Sequence, residues 1–398
     1  MKTNYVLIFL MVLFCLCGCW DRQELNEVSI VAGIAIDKGE NGHYLATIEV
    51  INSSELSMQT AQGDTAAILF SIEGETLAEL AHKMNVGITR TPIYGHMQTL
   101  VVSEEVAREG VAPFLQFLER NIEFRNDFNM LVAKGVKAKD IIGTTYPIQE
   151  VPSVKINTQV ETMITEWGGD PNVRLTDFIS AVSSSGRHPI MATVTIEGNE
   201  EKGKSVENNK KVDLDAIVVL NGMALFEEDK LSGFLTVEET RNYLWTQDLT
   251  YTTLSVPCEN DKERYLGVRV SQSTTNIKAN VKNETPEIII DLIVETELES
   301  SQCSDIVDDL DTFKSYENQI GQEIKDKVEA TVQKVQEQYG IDVFGFGEDV
   351  YRQQPKSFKE MEDNWDEFFK KANIQVEPTV YLRRFGMRTK DFLKDIEE

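Results

Sequence analysis

Histidine and free cysteine are the scarce residues in this chain, and their scarcity excludes whole classes of chemistry. Only His43, His82, His96 and His188 occur among 398 residues, all in the first half. None lies in an H-E-x-x-H or another close metal-ligating spacing. Three of the five cysteines fall within the first 19 residues, which leaves Cys258 and Cys303 as the thiols of the body. Two thiols make neither a disulfide framework nor a cysteine metal site. A bridge between them is open; two separate buried thiols are the expectation, because strand-like segments lie between them. No G-x-S-x-G elbow occurs. "SAVSSSGRH" holds Ser, Gly and His without a third triad member, and reads as a turn. Acidic neighbours such as Asp308 and Asp309 are too common among 66 acids to single out glycosidase carboxylates. "GFG" at Gly345–Gly347 is too short for a dinucleotide fingerprint and follows a helix pattern rather than a strand.

Basic patches are missing too. The formal charge is −27, and only Lys2 is charged among residues 1–18, so a processed chain is one unit more acidic still. Such a body repels nucleic acid and anionic lipid over most of its surface. No nucleic-acid partner is expected, and no polybasic helix would hold it to a membrane.

What is present begins at the amino terminus. "MKTNYVLIFLMVLFCLCGC" has one cation, an uncharged run from Tyr5 to Gly18 and an abrupt stop at Cys19, the form of a secretory signal over residues 1–18. Its apolar core is shorter than the roughly 20 residues that span a bilayer as a helix. A small residue directly before a cysteine resembles a lipobox, and Leu16-Cys17-Gly18-Cys19 supplies one. Cys15 follows Phe14 and Cys17 follows Leu16, so Cys19 is the acceptor expected to carry the lipid. Several acyl chains on one residue hold a protein far better than one chain does.

"GNEEKGKS", Gly198 to Ser205, satisfies the phosphate-loop pattern G-x-x-x-x-G-K-[ST]. A strand-like "MATVTIE" precedes it, but "VENNKKVDLD" after it has no apolar periodicity, and Glu200 and Glu201 would oppose a polyphosphate. The match is read as coincidence inside a polar linker, 197–214, and no nucleotide or other cofactor is expected. That linker separates an N-terminal domain, 19–196, from a C-terminal domain, 215–398.

The first domain mixes strand-like runs ("EVSIVAGIAID", "HYLATIEVI", "MQTLVV", "FNMLVA") with helices. Leu77, Leu80, Ala81 and Met84 share one helical face; Phe114, Phe117, Leu118 and Ile122 share another, behind Pro113. The second opens with a hairpin, "AIVVLNGMALFEEDKLSGFL", and a helix, "TVEETRNYLWTQ". In "EIIIDLIVETELE" Ile288, Ile290, Leu292, Val294 and Leu298 alternate with acids, as in an antiparallel sheet with one wet face. Ile320, Ile324, Val328, Val332, Val335 and Tyr339 mark a long amphipathic helix closed by Gly340. Phe358, Met361, Trp365, Phe368 and Phe369 mark a second helix, before a last strand, "IQVEPTVYLRRFG". The class is α+β, with two or three domains of mainly antiparallel sheet and packed helices.

The order of several stretches resembles one family. "GCWDRQELNE" from Gly18, "VAGIAID", "RTPIYGH" from Arg90 to His96, "NGMALFEEDKLSGFL" from Asn221, "DVFGFGE" from Asp342, Trp365 and "RRFGM" together resemble the Ger(x)C lipoproteins, the C subunits of spore germinant receptors. Phe234 stands where that family often has tryptophan. The resemblance implies a non-enzymatic subunit with a fold of unusual topology, anchored through Cys19 on the outer face of the inner spore membrane. Its implied partners are a large A subunit and a permease-like B subunit. It assigns no catalytic, cofactor or metal residue. Asn221-Gly222 and Gly233 suit turns flanking the hairpin, and Gly345 and Gly347 a tight loop between helices. Arg90 and His96 are candidate partner contacts, against a plainer reading as a loop held by Pro92 and Gly95. Two other classes remain open: a solute-binding lipoprotein serving a transporter, and an exported hydrolase, for which no complete catalytic set can be assembled.

Overall fold

Residues 27–56, 62–303 and 310–385 are described in a computed structural model. Cys19, the Asp308–Asp309 pair and the last residues of "RRFGM" lie outside them.

The strand β1 (Val28–Lys38) is apolar at nearly every position and almost wholly buried, the composition of a central strand covered on both faces. It pairs antiparallel with β2 (Tyr44–Ile51), which pairs with β3 (Ala67–Gly74), and parallel with the short β4 (Thr91–Ile93) and with β5 (Thr99–Ser103). Parallel pairing continues to β6 (Asn129–Ala133) and β7 (Ile190–Gly198), and antiparallel pairing to β8 (Ala216–Glu227) and β9 (Lys230–Leu235). The resulting nine-stranded sheet has the order β3-β2-β1-β5-β6-β7-β8-β9, with β4 beside β1. The helix Pro152–Glu166 crosses β1 so closely that a Cβ on Gly33 would sit 1.9 Å from Ser153 Oγ. Beneath the same helix Glu49 is fully buried, with a carboxyl oxygen accepting the Ser153 N–H at 3.1 Å. Burial, the dominant influence, pushes the Glu49 carboxyl up to about 8, so it is largely protonated at neutral pH.

The second sheet has the order β10-β11-β12-β13. The strands β10 (Thr252–Pro257), β11 (Tyr265–Lys282) and β12 (Thr285–Ser301) run antiparallel, whereas β13 (Asn373–Phe385) lies parallel to β12. A parallel neighbour needs a crossover, and the chain between residues 310 and 369 supplies it as helices packed on the apolar face. Ile288, Ile290, Leu292, Val294 and Leu298 all point into that core, as their alternation requires. The helix Leu310–Gln338 buries Ile320, Ile324, Val328, Val332 and Val335 against it and ends at Gly340 in a left-handed conformation (φ 68°).

Several expectations are corrected by tertiary contacts. The second long helix is broken into Pro355–Met361, a 3-10 turn and Trp365–Phe369; the break lets Phe358, Met361, Trp365 and Phe369 all reach the core. With β13 parallel to β12 the C-terminal sheet is mixed, and among the described residues one long helix accompanies it. Ile122 lies beyond the helix Ala112–Arg120 and is 99% exposed. Asn221-Gly222 is no turn: Gly222 (φ 101°) forms a bulge within β8, where a Cβ would meet Leu235 O at 2.2 Å. Gly233 likewise lies within β9, and the hairpin's own turn is at Glu228 and Asp229.

Cys258 and Cys303 are not separate thiols but a disulfide, with Cα atoms 5.7 Å apart. They flank the start of β11 from either side: Cys258 follows β10 and Cys303 follows β12, at the same end of the sheet.

The stretch 197–214 is tied to the body. It forms two four-residue helices, Glu200–Gly203 and Val206–Asn209, between the antiparallel neighbours β7 and β8. Buried Asn208 donates to Thr145 O and Ala216 O, each at 3.0 Å. The nine-stranded sheet runs on through β8 and β9, and Met223, Leu225 and Leu235 of those strands join the core of the second sheet.

Candidate functional site: the junction of two loops

The phosphate-loop match has no phosphate geometry. Gly198 ends β7, Ser205 caps a four-residue helix, and Thr145 Oγ1 donates to the carbonyls of Gly203 (3.1 Å) and Ser205 (3.0 Å). Lys204 Nζ is held at 2.8 Å from both Asp140 and Glu201. A lysine neutralised by two carboxylates beside a short capped turn is a surface clasp. The "RTPIYGH" stretch makes β4 and the turn after it, with Pro92 and Tyr94 buried and Arg90 and His96 exposed.

The residues that the structure brings together most tightly are those of "DVFGFGE" and "SSSGRH". Asp342 is completely buried where the chain leaves the long helix. Its Oδ1 accepts the N–H groups of Phe344 (3.0 Å) and Gly345 (2.9 Å), and its Oδ2 accepts those of Gly347 (2.8 Å) and the Trp365 indole (2.9 Å). Burial is the largest influence on this carboxyl and pushes it up to about 6, against the pull of the Gly347, Trp365 and Gly345 donors. One carboxylate thus folds the loop and pins the Trp365 ring to it.

That loop receives the 183–188 loop by main-chain contact. The His188 N–H donates to Asp342 O at 2.7 Å, and Gly186 lies on Gly347 so closely that a Cβ on either would be 2.6 Å from the other's backbone. Side chains surround this contact: Ser184 Oγ donates to Glu348 at 2.8 Å, Ser185 Oγ to Glu362 at 2.9 Å, and Arg187 lies 3.5 Å from Glu348. His188 Nδ1 accepts the Glu228 N–H at 3.2 Å, which leaves Nε2 to meet Asp366 at 3.0 Å. Burial, its largest influence, opposes the charged imidazole, but Asp366, Asp342 and Glu227 outweigh it and raise its pKa above the ordinary value. The serines and glycine of "SSSGRH", read from sequence as a turn, are therefore half of a joint.

Beside the joint is an open, polar cleft of about 490 Å³ lined by Arg187, Asp248, Asn276, Glu348, Asp349 and Arg352. Its acids are engaged, Asp349 with Arg352 at 2.6 Å, Glu348 with Ser184 and Arg187, and Asp248 with the Thr275 N–H at 2.7 Å. Nothing here sets a nucleophile against a base. No group of three or more His, Cys, Asp or Glu side chains among the described residues could hold a metal ion. Asp342 and the Gly186–Gly347 contact were missed as a unit in the sequence; an Asp three residues before a Gly-x-Gly is the available signal, but its partner loop lies some 155 residues away.

Main-chain contacts and one buried carboxylate join two mixed sheets here, an arrangement that fits a structural or binding protein. Two family models match, described as the spore germination protein N-terminal domain over residues 21–196 and the spore germination B3/GerAC-like C-terminal domain over residues 221–386. The chain belongs to this family of germinant-receptor C subunits, which are not enzymes. It is similar over nearly full length to curated proteins of Bacillus subtilis (strain 168). Spore germination protein KC is 26% identical over 97% of both chains, and spore germination protein B3 is 25% identical over 97% of this chain and 99% of its own. The putative spore germination protein YfkR is 25% identical over 97% and 98%. A crystal structure of the GerBC protein superposes with a TM-score of 0.55 at 18% identity, over 88% of this chain and 96% of that one, which establishes the fold.

Proposed function

We propose that this chain is the lipid-anchored C subunit of a nutrient germinant receptor, bound through acylated Cys19 to the outer face of the inner spore membrane. It works by contact with A and B subunits and not by chemistry. The observation that carries the reading is the end-to-end similarity to curated germination proteins. The Cys258–Cys303 disulfide supports an extracytoplasmic site, and the Gly18-Cys19 sequence supports the anchor. No helix among the described residues is long and apolar enough to cross a membrane, so a covalent lipid would do the holding.

The test is Cys19→Ala at the native locus. Spores should lose the protein from the inner-membrane fraction and lose their response to one class of nutrient. Retention in that fraction with normal germination across a nutrient panel would refute the proposal.

A further inference from the structure

The end of the first sheet at which β1 begins carries the longest acid-free stretch of the chain. Between Glu79 and Glu104 there is no acidic residue, although the chain has 66 acids. This acid-free stretch forms the turn Met84–Val86, β4 and the turn after it, and it exposes His82, Lys83, Arg90 and His96. Val86 is 81% exposed on it.

The loop after the helix Ala112–Arg120 closes over the same corner. Tyr94 stacks on Phe124 with ring centroids 4.6 Å apart and donates its hydroxyl to Ala81 O at 3.3 Å, and a Cβ on Gly95 would lie 3.8 Å from Glu123 O. That places Ile122, almost wholly exposed, at the same end of the sheet as Val86, with Arg120 and Arg125 on either side of it in the chain. Glu119 and Glu123 are the acids of this loop. Arg125 is paired with Asp127 at 2.7 Å and Lys83 with Glu79. Two protruding aliphatic side chains on a corner where Lys83, Arg90, Arg120 and Arg125 offset Glu79, Glu119, Glu123 and Asp127, in an otherwise strongly acidic protein, suit a phospholipid surface: apolar tips enter the headgroup boundary without the repulsion that the rest of the body would meet there.

The path of the chain selects this partner. Thr91 N–H donates to Glu27 O at 3.0 Å, and Val28 pairs with Thr91, so the chain enters the fold at this corner. Seven residues separate Glu27 from Cys19, and the eight Cα-to-Cα steps between them, fully extended, reach at most about 28 Å. A compact chain of this size is roughly 55 Å across. A tether shorter than the molecule restricts which faces can touch the bilayer, and the corner at its root is the nearest.

We propose that the corner formed by Val86, Arg90, His96 and Ile122 is a membrane-docking surface that orients the tethered protein. The inference rests on the anchoring reading above. Single Val86→Cys and Ile122→Cys variants of the mature full chain, labelled with an environment-sensitive fluorophore, test it on vesicles of phosphatidylglycerol and phosphatidylethanolamine containing spin-labelled lipid. Val212→Cys is the control. Val212 is fully exposed and follows β7, which runs parallel to β5, β6 and β1, so it lies at the opposite end of the sheet.

Labels at 86 and 122 should shift to the blue and be quenched by the lipid, while the label at 212 should not. The mass of the amino-terminal peptide is read on the same preparation. If Cys19 is acylated and positions 86 and 122 stay as wet as 212, the docking surface is wrong and the anchor stands. If Cys19 is unmodified, the anchor fails; the chain from residue 20, bound to nickel-chelating lipid through an amino-terminal histidine tag, then decides the docking surface by the same quenching.

Discussion

Gly347→Ala is the change that probes the joint most directly. The added Cβ would stand 2.6 Å from Gly186 Cα and 2.7 Å from both Gly186 O and the Trp365 indole nitrogen. Two of these are backbone atoms, and the third belongs to a buried ring already bonded to Asp342, so no flexible end can swing away. Ordinary carbon contacts begin near 3.5 Å, which requires a separation of about 1 Å between the loops. Opening by that much would carry the 2.7 Å bond from His188 N–H to Asp342 O beyond hydrogen-bonding range. Overpacking of a close contact costs about 1–3 kcal/mol and a lost buried hydrogen bond about 1 kcal/mol more, so the variant should be destabilised by about 2–4 kcal/mol. That is a large part of the 5–15 kcal/mol typical of a folded domain. Urea denaturation of the mature chain measures it, with Gly95→Ala as control, since a Cβ there meets nothing nearer than 3.8 Å. Gly347→Ala unfolding at the wild-type midpoint would show that the two loops are not held together as described.

Further outcomes follow from the buried acids, the disulfide and the phosphate-loop match. Glu49 has a folded pKa of about 8 against 4.5 when free, so between those values the native state binds the extra proton and stability falls as pH rises; at pH 4.5 the contribution has levelled off. Glu49→Gln should flatten that part of the pH–stability profile at little cost near neutrality, and an unchanged slope would contradict a protonated Glu49. Asp342, raised to about 6, adds a slope of the same sign between its ordinary value and pH 6, which Glu49→Gln leaves in place. Joint replacement of Cys258 and Cys303 by alanine releases a cross-link across a sequence separation of 45 and should cost about 4 kcal/mol, with the reduced wild type shifting by a similar amount in thermal unfolding. Lys204→Met removes a partly exposed clasp on Asp140 and Glu201 and should change stability by about 1 kcal/mol or less, with germination unaffected; a strong germination defect without destabilisation would reopen a nucleotide role.

Glycines in this protein show where local pattern was a sound guide and where it was not. Gly340 was legible as a helix stop because a left-handed cap depends only on the few residues before it. Gly222 follows an asparagine and has a positive φ, as a turn would, yet it is a bulge; the carbonyl of Leu235 that forces it to be glycine lies on the neighbouring strand. Gly186 looked like a turn glycine and is one half of a contact with Gly347, which no window of sequence contains.

The sequence by itself determined which segments are strands and which helices wherever a short apolar run or one apolar face at period two or 3.6 marks them: the runs of β1, β2, β5 and β6, the alternation of β12 and the stripe of the helix Leu310–Gln338. It also determined the acidity, the lack of a catalytic set and the ordered motifs that place the chain in its family. Only the tertiary structure decided that Cys258 meets Cys303, that β13 lies parallel to β12, that 197–214 is bound to its neighbours, and that Asp342 organises a joint with a loop far away in the chain. The physical reason is the range of the forces involved. Periodicity records which side of an element avoids water, a local property, whereas pairing, register and main-chain contact depend on what lies opposite, and a single sequence does not record that.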